Sequence, residues 1–571
     1  MKMRSHFKTF RCCGSCHLRR STSPLARGAP GIQRRRHPDY VDFKMTSKIF
    51  FTLLFLLLTS CTYRLERDAR ELVMHLAAEP ATLNLLTYSD HYGAQVLGNI
   101  YERLIDVDAK TLTFTPKLAT HWEISADGKT ITFFLRENIR WHDGFPFTAD
   151  DVIFTFERIL DPAVDAPRLR QQYLDVEKLE KINDYTIQFH YKRPYFGAFF
   201  TAGALPVLPK HVFKAGENFN AHEIGRSPIG TGPYRFVSWE KGRSLRLVRH
   251  EEYWDHKPQI KGIVFNIIPN GTVAFQFLKK GGLDLFELSP MQWEKQSSSH
   301  SFQERFRKYH YFPPNFSFIA WNMRRPLFAD KRVRQAMTML LDRSSIIEKQ
   351  LGGLGKIVTG SAYPLSKDYD TSIEPLPYNP ERAIALLREA GFDDHDGDGL
   401  LDREGVVFEF TYLYPNNSNF GKKIGLLLQR QLQNVGIRMH LEQLEWATLL
   451  SRMQKRDFDA LSLSWIPPLQ ADPFQLWHSS QADRGSNISG FRHAEVDRLL
   501  EEGRTLFDED ERAKRYQKVH RLLYEEQPVL FLFQMPTLAA VSKRFENVQA
   551  YPLGLKPREW TIESTAMLKA W

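Results

Sequence analysis

Beyond residue 61 the chain has no cysteine; the four that exist are Cys12, Cys13, Cys16 and Cys61 of 571 residues. The body therefore has no disulfide to draw on, and its stability must come from a large apolar core. Long hydrophobic runs are missing too. The one marked run, residues 49–58, is far shorter than the roughly 20 residues a membrane helix needs. An excess of one charge is also absent from the body. The whole chain carries a formal +10, but residues 1–44 hold 11 Lys/Arg against two acids and Lys48 adds one more. Residues 61–571 then contain 65 positive and 65 negative side chains. A balanced body has no electrostatic bias toward phosphate backbones, which argues against a nucleic-acid partner.

Three catalytic templates fail as well. His222-Glu223-Ile224-Gly225-Arg226 begins like a helical zinc motif but lacks its second histidine. Gly352-Gly353-Leu354-Gly355-Lys356 is followed by Ile357, with Gln350 where a phosphate-binding loop needs its first glycine. No G-x-S-x-G elbow occurs. The residues point to no enzyme.

What is present begins at the N-terminus. Cys13-Gly14-Ser15-Cys16-His17 has the spacing of a c-type haem attachment site, but it lies in a Ser/Arg-rich leader without a fold around it. Arg34-Arg35-Arg36 is not followed by residues that fit a twin-arginine signal. Residues 1–44 read as a basic leader outside the mature protein. From Met45 the pattern is that of a secretory signal: Lys48, the apolar run, then Thr59-Ser60-Cys61. Leu58-Thr59-Ser60-Cys61 is similar to a lipoprotein signal box, which makes 45–60 the signal peptide and Cys61 the lipidated first residue. Two or more acyl chains suffice for stable membrane anchoring.

The body alternates strand and helix patterns without a repeat or low-complexity linker, as expected of α/β or α+β lobes. Apolar-rich strands at 121–125 and 130–135 flank Asp127-Gly128, a strong hairpin turn. Asn379-Pro380 before 381–390 and Gly391 after it predict a capped helix. A second helix is expected over 422–435 up to Gly436, followed by a strand with Ile437, Met439 and Leu441 on one face. Two more are expected over 495–504 and 511–525. Asp394-His395-Asp396-Gly397-Asp398-Gly399 starts like a calcium loop, but Gly405 stands where the bidentate glutamate belongs. It is read as a polar turn, and no metal or cofactor is assigned. Histidines are dispersed without ligand spacing. Aromatics make up 13%, including 11 Trp, a surplus suited to a large ligand cavity as well as to core.

A series of blocks then becomes recognisable. These are 118–130 (Leu118-Ala119-Thr120-His121-Trp122 onward), 135–144 ending Trp141-His142-Asp143-Gly144, and Thr148-Ala149-Asp150-Asp151-Val152. They continue through Pro228-Ile229-Gly230-Thr231-Gly232-Pro233-Tyr234, Tyr253-Trp254, 330–336, Gly485-Ser486-Asn487 and Glu495-Val496-Asp497. In this order they resemble extracellular solute-binding protein family 5, the dipeptide- and oligopeptide-binding proteins of ABC importers. The resemblance implies an α/β, periplasmic-binding-protein type II-like fold: two hinged lobes plus an extra inserted domain. Lobe I would comprise 62–95, 208–295 and 536–571, the extra domain 96–207, and lobe II 296–535. It also implies a monomeric receptor without cofactor, anchored by its lipid, that captures a peptide between closing lobes and passes it to a membrane permease.

In peptide-binding relatives an acidic residue for the ligand amine follows a tryptophan by three positions. Here Trp465 and Asp472-Pro473 match, but Pro468 stands in place of the acid. The arginine that dipeptide binders use for the carboxylate would fall near Tyr414-Pro415-Asn416-Asn417, where none occurs. Trp446 matches a second cleft tryptophan. Trp446, Trp465, Tyr88, His91, Asn416 and Asn487 are the expected ligand-binding residues. The missing anchors keep a metal chelate or an oligosaccharide open as ligand, and a surface adhesin or signalling receptor as a more distant role.

Overall fold

The computed structural model describes residues 68–416 and 418–562. The leader, the signal segment, the Cys13–His17 motif and Cys61 lie outside the described residues. Local structure follows the local signals. Asn379 accepts the Arg382 N–H and caps the helix Pro380–Glu389, and Gly391 beyond it has φ 89°. The helix expected from 422 starts earlier, at Asn419–Gln433, because Ser418 accepts the Gly421 N–H. Asp508 does the same for Glu509–Glu526, by accepting the Glu511 N–H. Strands Ala119–Ile124 and Thr130–Leu135 pair antiparallel, with Gly128 at φ 68° in the turn.

Two principal sheets organise the body. The first, seven-stranded among the described residues, runs in the order Phe306–Tyr311, Thr537–Ser542, Leu285–Glu287, Glu71–Leu76, Gly262–Ile267, Ser244–Arg249, Tyr234–Glu240. The second has five strands, in the order Arg438–Leu444, Glu409–Pro415, Ala460–Trp465, Phe316–Trp321, Val529–Phe531. Each mixes parallel and antiparallel pairs and is covered by helices, a type II-like α/β arrangement. Because Phe306–Tyr311 pairs with Thr537–Ser542, residues 296–311 belong to the first lobe. The expected boundary at 295/296 therefore moves to the segment after Tyr311. The α-helix-to-strand pattern of 300–311 gives no hint of this, since sheet membership is a long-range property.

A third, four-stranded sheet (Ala119–Ile124, Thr130–Leu135, Thr186–Tyr191, Val176–Asn183) lies within 96–207. It shares one continuous core with the first lobe, in which Phe133, Phe189 and Trp141 join Leu76, Leu245 and Ile263. The link is reinforced by His142. Its Nε2 donates to the Gly232 carbonyl at 2.9 Å and its Nδ1 accepts the Gly230 N–H at 3.2 Å. Burial pushes this imidazole down to about 3, so it serves as a neutral crosslink. The two glycines are required by close approach: a Cβ on Gly230 would lie 1.9 Å from the Ile100 carbonyl oxygen, and one on Gly232 2.6 Å from it.

The chain crosses between the principal sheets twice, at 312–315 and again at 532–536. Buried Gln534 donates to the Phe312 and Pro313 carbonyls at 3.3 and 3.0 Å. Asn315 accepts the Met535 N–H at 2.9 Å and donates to the Met535 carbonyl at 3.0 Å. Side-chain amides thus bind the two crossovers to each other.

Within the first lobe, buried Arg544 grips Asp284 with two hydrogen bonds of 2.8 and 2.7 Å and also donates to the Ala69 and Glu71 carbonyls. Asp284 in turn accepts the Val73 N–H, so the pair ties the returning C-terminal strand to the start of the sheet. Arg544→Ala takes the cation from a buried carboxylate and should lower unfolding free energy by about 3–5 kcal/mol, read from urea denaturation. An unchanged midpoint would show that the pair does not hold the returning strand.

Candidate functional site

Strand alternation builds the floor of the site. Phe316 pairs with Trp465 and Phe318 with Leu463 on neighbouring antiparallel strands, so all four side chains face one way. Val529 joins them from the next strand. The helix Trp446–Gln454 supplies a wall through Trp446, Leu450, Met453 and Gln454, the spacing of one helical face. Glu445 caps that helix through the Ala447 N–H and so fixes Trp446 at its first turn. The loop 484–489 closes the opposite side with Arg484, Ser486 and Ser489. Together with Trp477 and Arg456 these residues enclose about 540 Å³, within the range of small-molecule sites.

All lining residues come from the second lobe. The walls are mainly apolar and aromatic. Among the described residues two guanidinium groups, Arg456 and Arg484, are the charged lining groups, and no carboxylate lines the cavity. Trp446 is 45% exposed, an uncommon position for so large an apolar side chain, and Ile466 just past Trp465 is 79% exposed.

Of the six residues expected from the sequence, the structure brings Trp446 and Trp465 together on this cavity. The other four are off its wall. Asn487 is fully buried and its amide is spent inside its own loop. It donates to the His478 and Phe491 carbonyls and accepts from Ser489, Gly490 and Phe491. It holds the loop that carries Arg484, Ser486 and Ser489, a correction to its expected ligand contact. Tyr88 packs against the core of the first lobe. His91 opens the helix His91–Leu97 and pairs with Gln95 at 3.1 Å. Asn416 is exposed at the end of its strand, its N–H bonded to the Leu444 carbonyl. Phe316, Phe318, Trp477, Arg456 and Arg484 were not anticipated. The alternation of 316–321 would have flagged the first two as a sheet face, but no local signal tells a cavity face from a core face.

Asp472, matched in the sequence, has a different task. Tyr195 of the extra domain donates to it at 3.2 Å, and Arg504 lies 2.9 Å away. Arg504 also sits over the Tyr195 and Phe474 rings, and its carbonyl accepts the Phe196 N–H. The cluster is a direct contact between the extra domain and the second lobe. Of the acidic run, Asp394, Asp396 and Asp398 place carboxylate oxygens within 4.8 Å of one another. The Asp394 carboxylate is taken by the Gly397 and Gly399 N–H groups, while Asp402 pairs with His395. This is the geometry of a tight polar turn.

Two lobes around separate sheets, joined by a double crossover, with an aromatic cavity on one of them, define a two-lobed solute receptor. The sequence profile of bacterial extracellular solute-binding proteins, family 5 Middle, matches residues 113–487, and the chain belongs to that family. Oligopeptide-binding protein AppA of Bacillus subtilis is 29% identical over 495 residues, covering 84% of this chain and 89% of that one. The AppA structure in complex with a nonapeptide superposes with a TM-score of 0.70 at 27% identity, over 86% of this chain and 99% of AppA. The dipeptide-binding protein of Escherichia coli is 26% identical, covering 88% and 96% of the two chains. Heme-binding protein A of Haemophilus influenzae is also 26% identical, covering 80% and 85%.

Trp465→Ala should weaken binding of the natural ligand at least tenfold, about 1.4 kcal/mol, by removing the floor of the cavity. Unchanged affinity by titration calorimetry would move the site elsewhere.

Proposed function

We propose that this chain is the peptide-capturing receptor of an ABC importer, holding its ligand against Trp446 and Trp465 while the two lobes close and then delivering it to a membrane permease. The observation that carries the reading is the aromatic cavity of the second lobe, in a chain that belongs to a solute-binding family. Aromatic faces contribute area without demanding one side-chain sequence, which suits a receptor for varied peptides. Two of the three relatives above carry peptide binding in their names. The name of the third speaks for heme, so a non-peptide solute is the competing reading. The receptor acts as a monomer and without catalysis of its own.

Export through the segment 45–60 and anchoring through lipidated Cys61 complete the proposal. Among the described residues no helix is long and apolar enough to cross a membrane. A lipid would supply the tether, and labelled palmitate incorporation should disappear in Cys61→Ser. Retained label in that variant would rule out this anchor.

Mass spectrometry of small molecules released from the natively expressed protein tests the ligand class. Peptides are expected; heme, a metal chelate or a sugar would displace the reading. Because Pro468 stands where the amine-binding acid occurs in peptide-binding relatives, N-acetylated and free forms of a bound peptide should have similar affinity. A strong calorimetric preference for the free amine would contradict this.

A further inference from the structure

We propose that the cavity holds the anionic end of its ligand, a carboxylate, between Arg456 and Arg484. The ligand would then be fixed by its acid group rather than by its amine. The inference rests on the reading that this cavity is the capture site.

Arg456 follows the helix Trp446–Gln454 in the left-handed region, at φ 59°. A residue with a Cβ is strained there, and glycine is the ordinary occupant. An arginine at such a position calls for a use for its side chain. Nη2 donates to the Gly485 carbonyl at 2.6 Å and Nη1 to the Met453 carbonyl at 3.3 Å. Nε is buried without a hydrogen-bond partner among the described residues. These acceptors are neutral, so the guanidinium charge meets no carboxylate in direct contact.

Arg484, next to the Gly485 that accepts from Arg456, also lines the cavity and is exposed, with no ion pair or hydrogen bond among the described residues. Behind it Arg324 is likewise engaged by neutral oxygens, of Asn322, Ile488 and Ala482. Of the acids nearby, Asp483 is paired with Arg492 at 2.8 Å, and Asp457 with Arg325 and Arg452 at 3.5 Å. Burial lowers the Arg324 and Arg456 pKa values from their ordinary range, and the Arg456 cation lowers that of Arg324 further, while Asp483 opposes both shifts. Two cations, Arg456 and Arg484, therefore line a cavity whose walls carry no acid among the described residues. A ligand carboxylate relieves this repulsion and gains charge-assisted bonds that guanidinium geometry favours. Ser464 and Ser486 add hydroxyls to the same walls, while the tryptophans take the apolar body.

The test uses two matched pairs of probes on the purified full chain stripped of ligand. One pair is Leu-Trp-Leu as free acid and as C-terminal amide. The other is indole-3-propionate and indole-3-propionamide. Each acid should bind at least tenfold more tightly than its amide by calorimetry or ligand-observed NMR. The preference should vanish in Arg484→Gln, an exposed site, and in Arg456→Gly, where glycine relieves the strained backbone and thermal stability is retained. If the indole pair shows the preference and neither tripeptide form binds, the anion site stands and the peptide reading falls. If neither acid outbinds its amide, or the preference survives in both variants, the inference is overturned.

Discussion

The two lobes are joined along the chain by the paired crossovers at 312–315 and 532–536. They are short, lack a helix, and are held together by the amides of Gln534 and Asn315. Segments of this kind absorb backbone rotation while the sheets they join stay intact, which is the requirement for hinge closure. Gln534 is buried and hydrogen-bonded to backbone carbonyls of the opposite crossover. The two segments are thereby coupled.

On either side of the crossovers, rigidity is built differently. The first lobe and the inserted four-stranded sheet share a continuous core and the His142 crosslink, so they move as one body. The second lobe carries the cavity on strands and a helix of its own. Tyr195, Asp472 and Arg504 bridge the inserted domain to the second lobe through a second, smaller contact. The contact also has an apolar part, since Phe196 beside Tyr195 is buried in the core of the second lobe and meets the Tyr516 ring edge-on.

Much of this was legible in the sequence, and the parts that were not share a cause. Caps and turns are local: Asn379 with Gly391 and Asp127-Gly128 announced their helix and hairpin. The tryptophans at 446 and 465 were placed by resemblance, and they meet at one cavity. Asn487 was expected to touch ligand because it neighbours a matched block, yet its amide is needed to shape the loop. The lobe boundary after Tyr311 depends on pairing with a strand more than two hundred residues later. Arg456 is invisible in one dimension, since neither its left-handed backbone nor its lack of an acidic partner can be read from neighbours in the chain. A body balanced in charge overall still places two arginines on the wall of one cavity.

The central claim is that this receptor works by hinge closure on a solute, and the distance between the lobes tests it most directly. With Cys12, Cys13, Cys16 and Cys61 replaced by serine, spin labels can be placed alone at Gln276 and Lys423, exposed sites on helices of the first and second lobe. Double electron–electron resonance is then recorded on ligand-stripped protein and again after returning the solute recovered from the native preparation. The account predicts a shorter, narrower distance distribution with solute bound. An identical distribution in both states would contradict it.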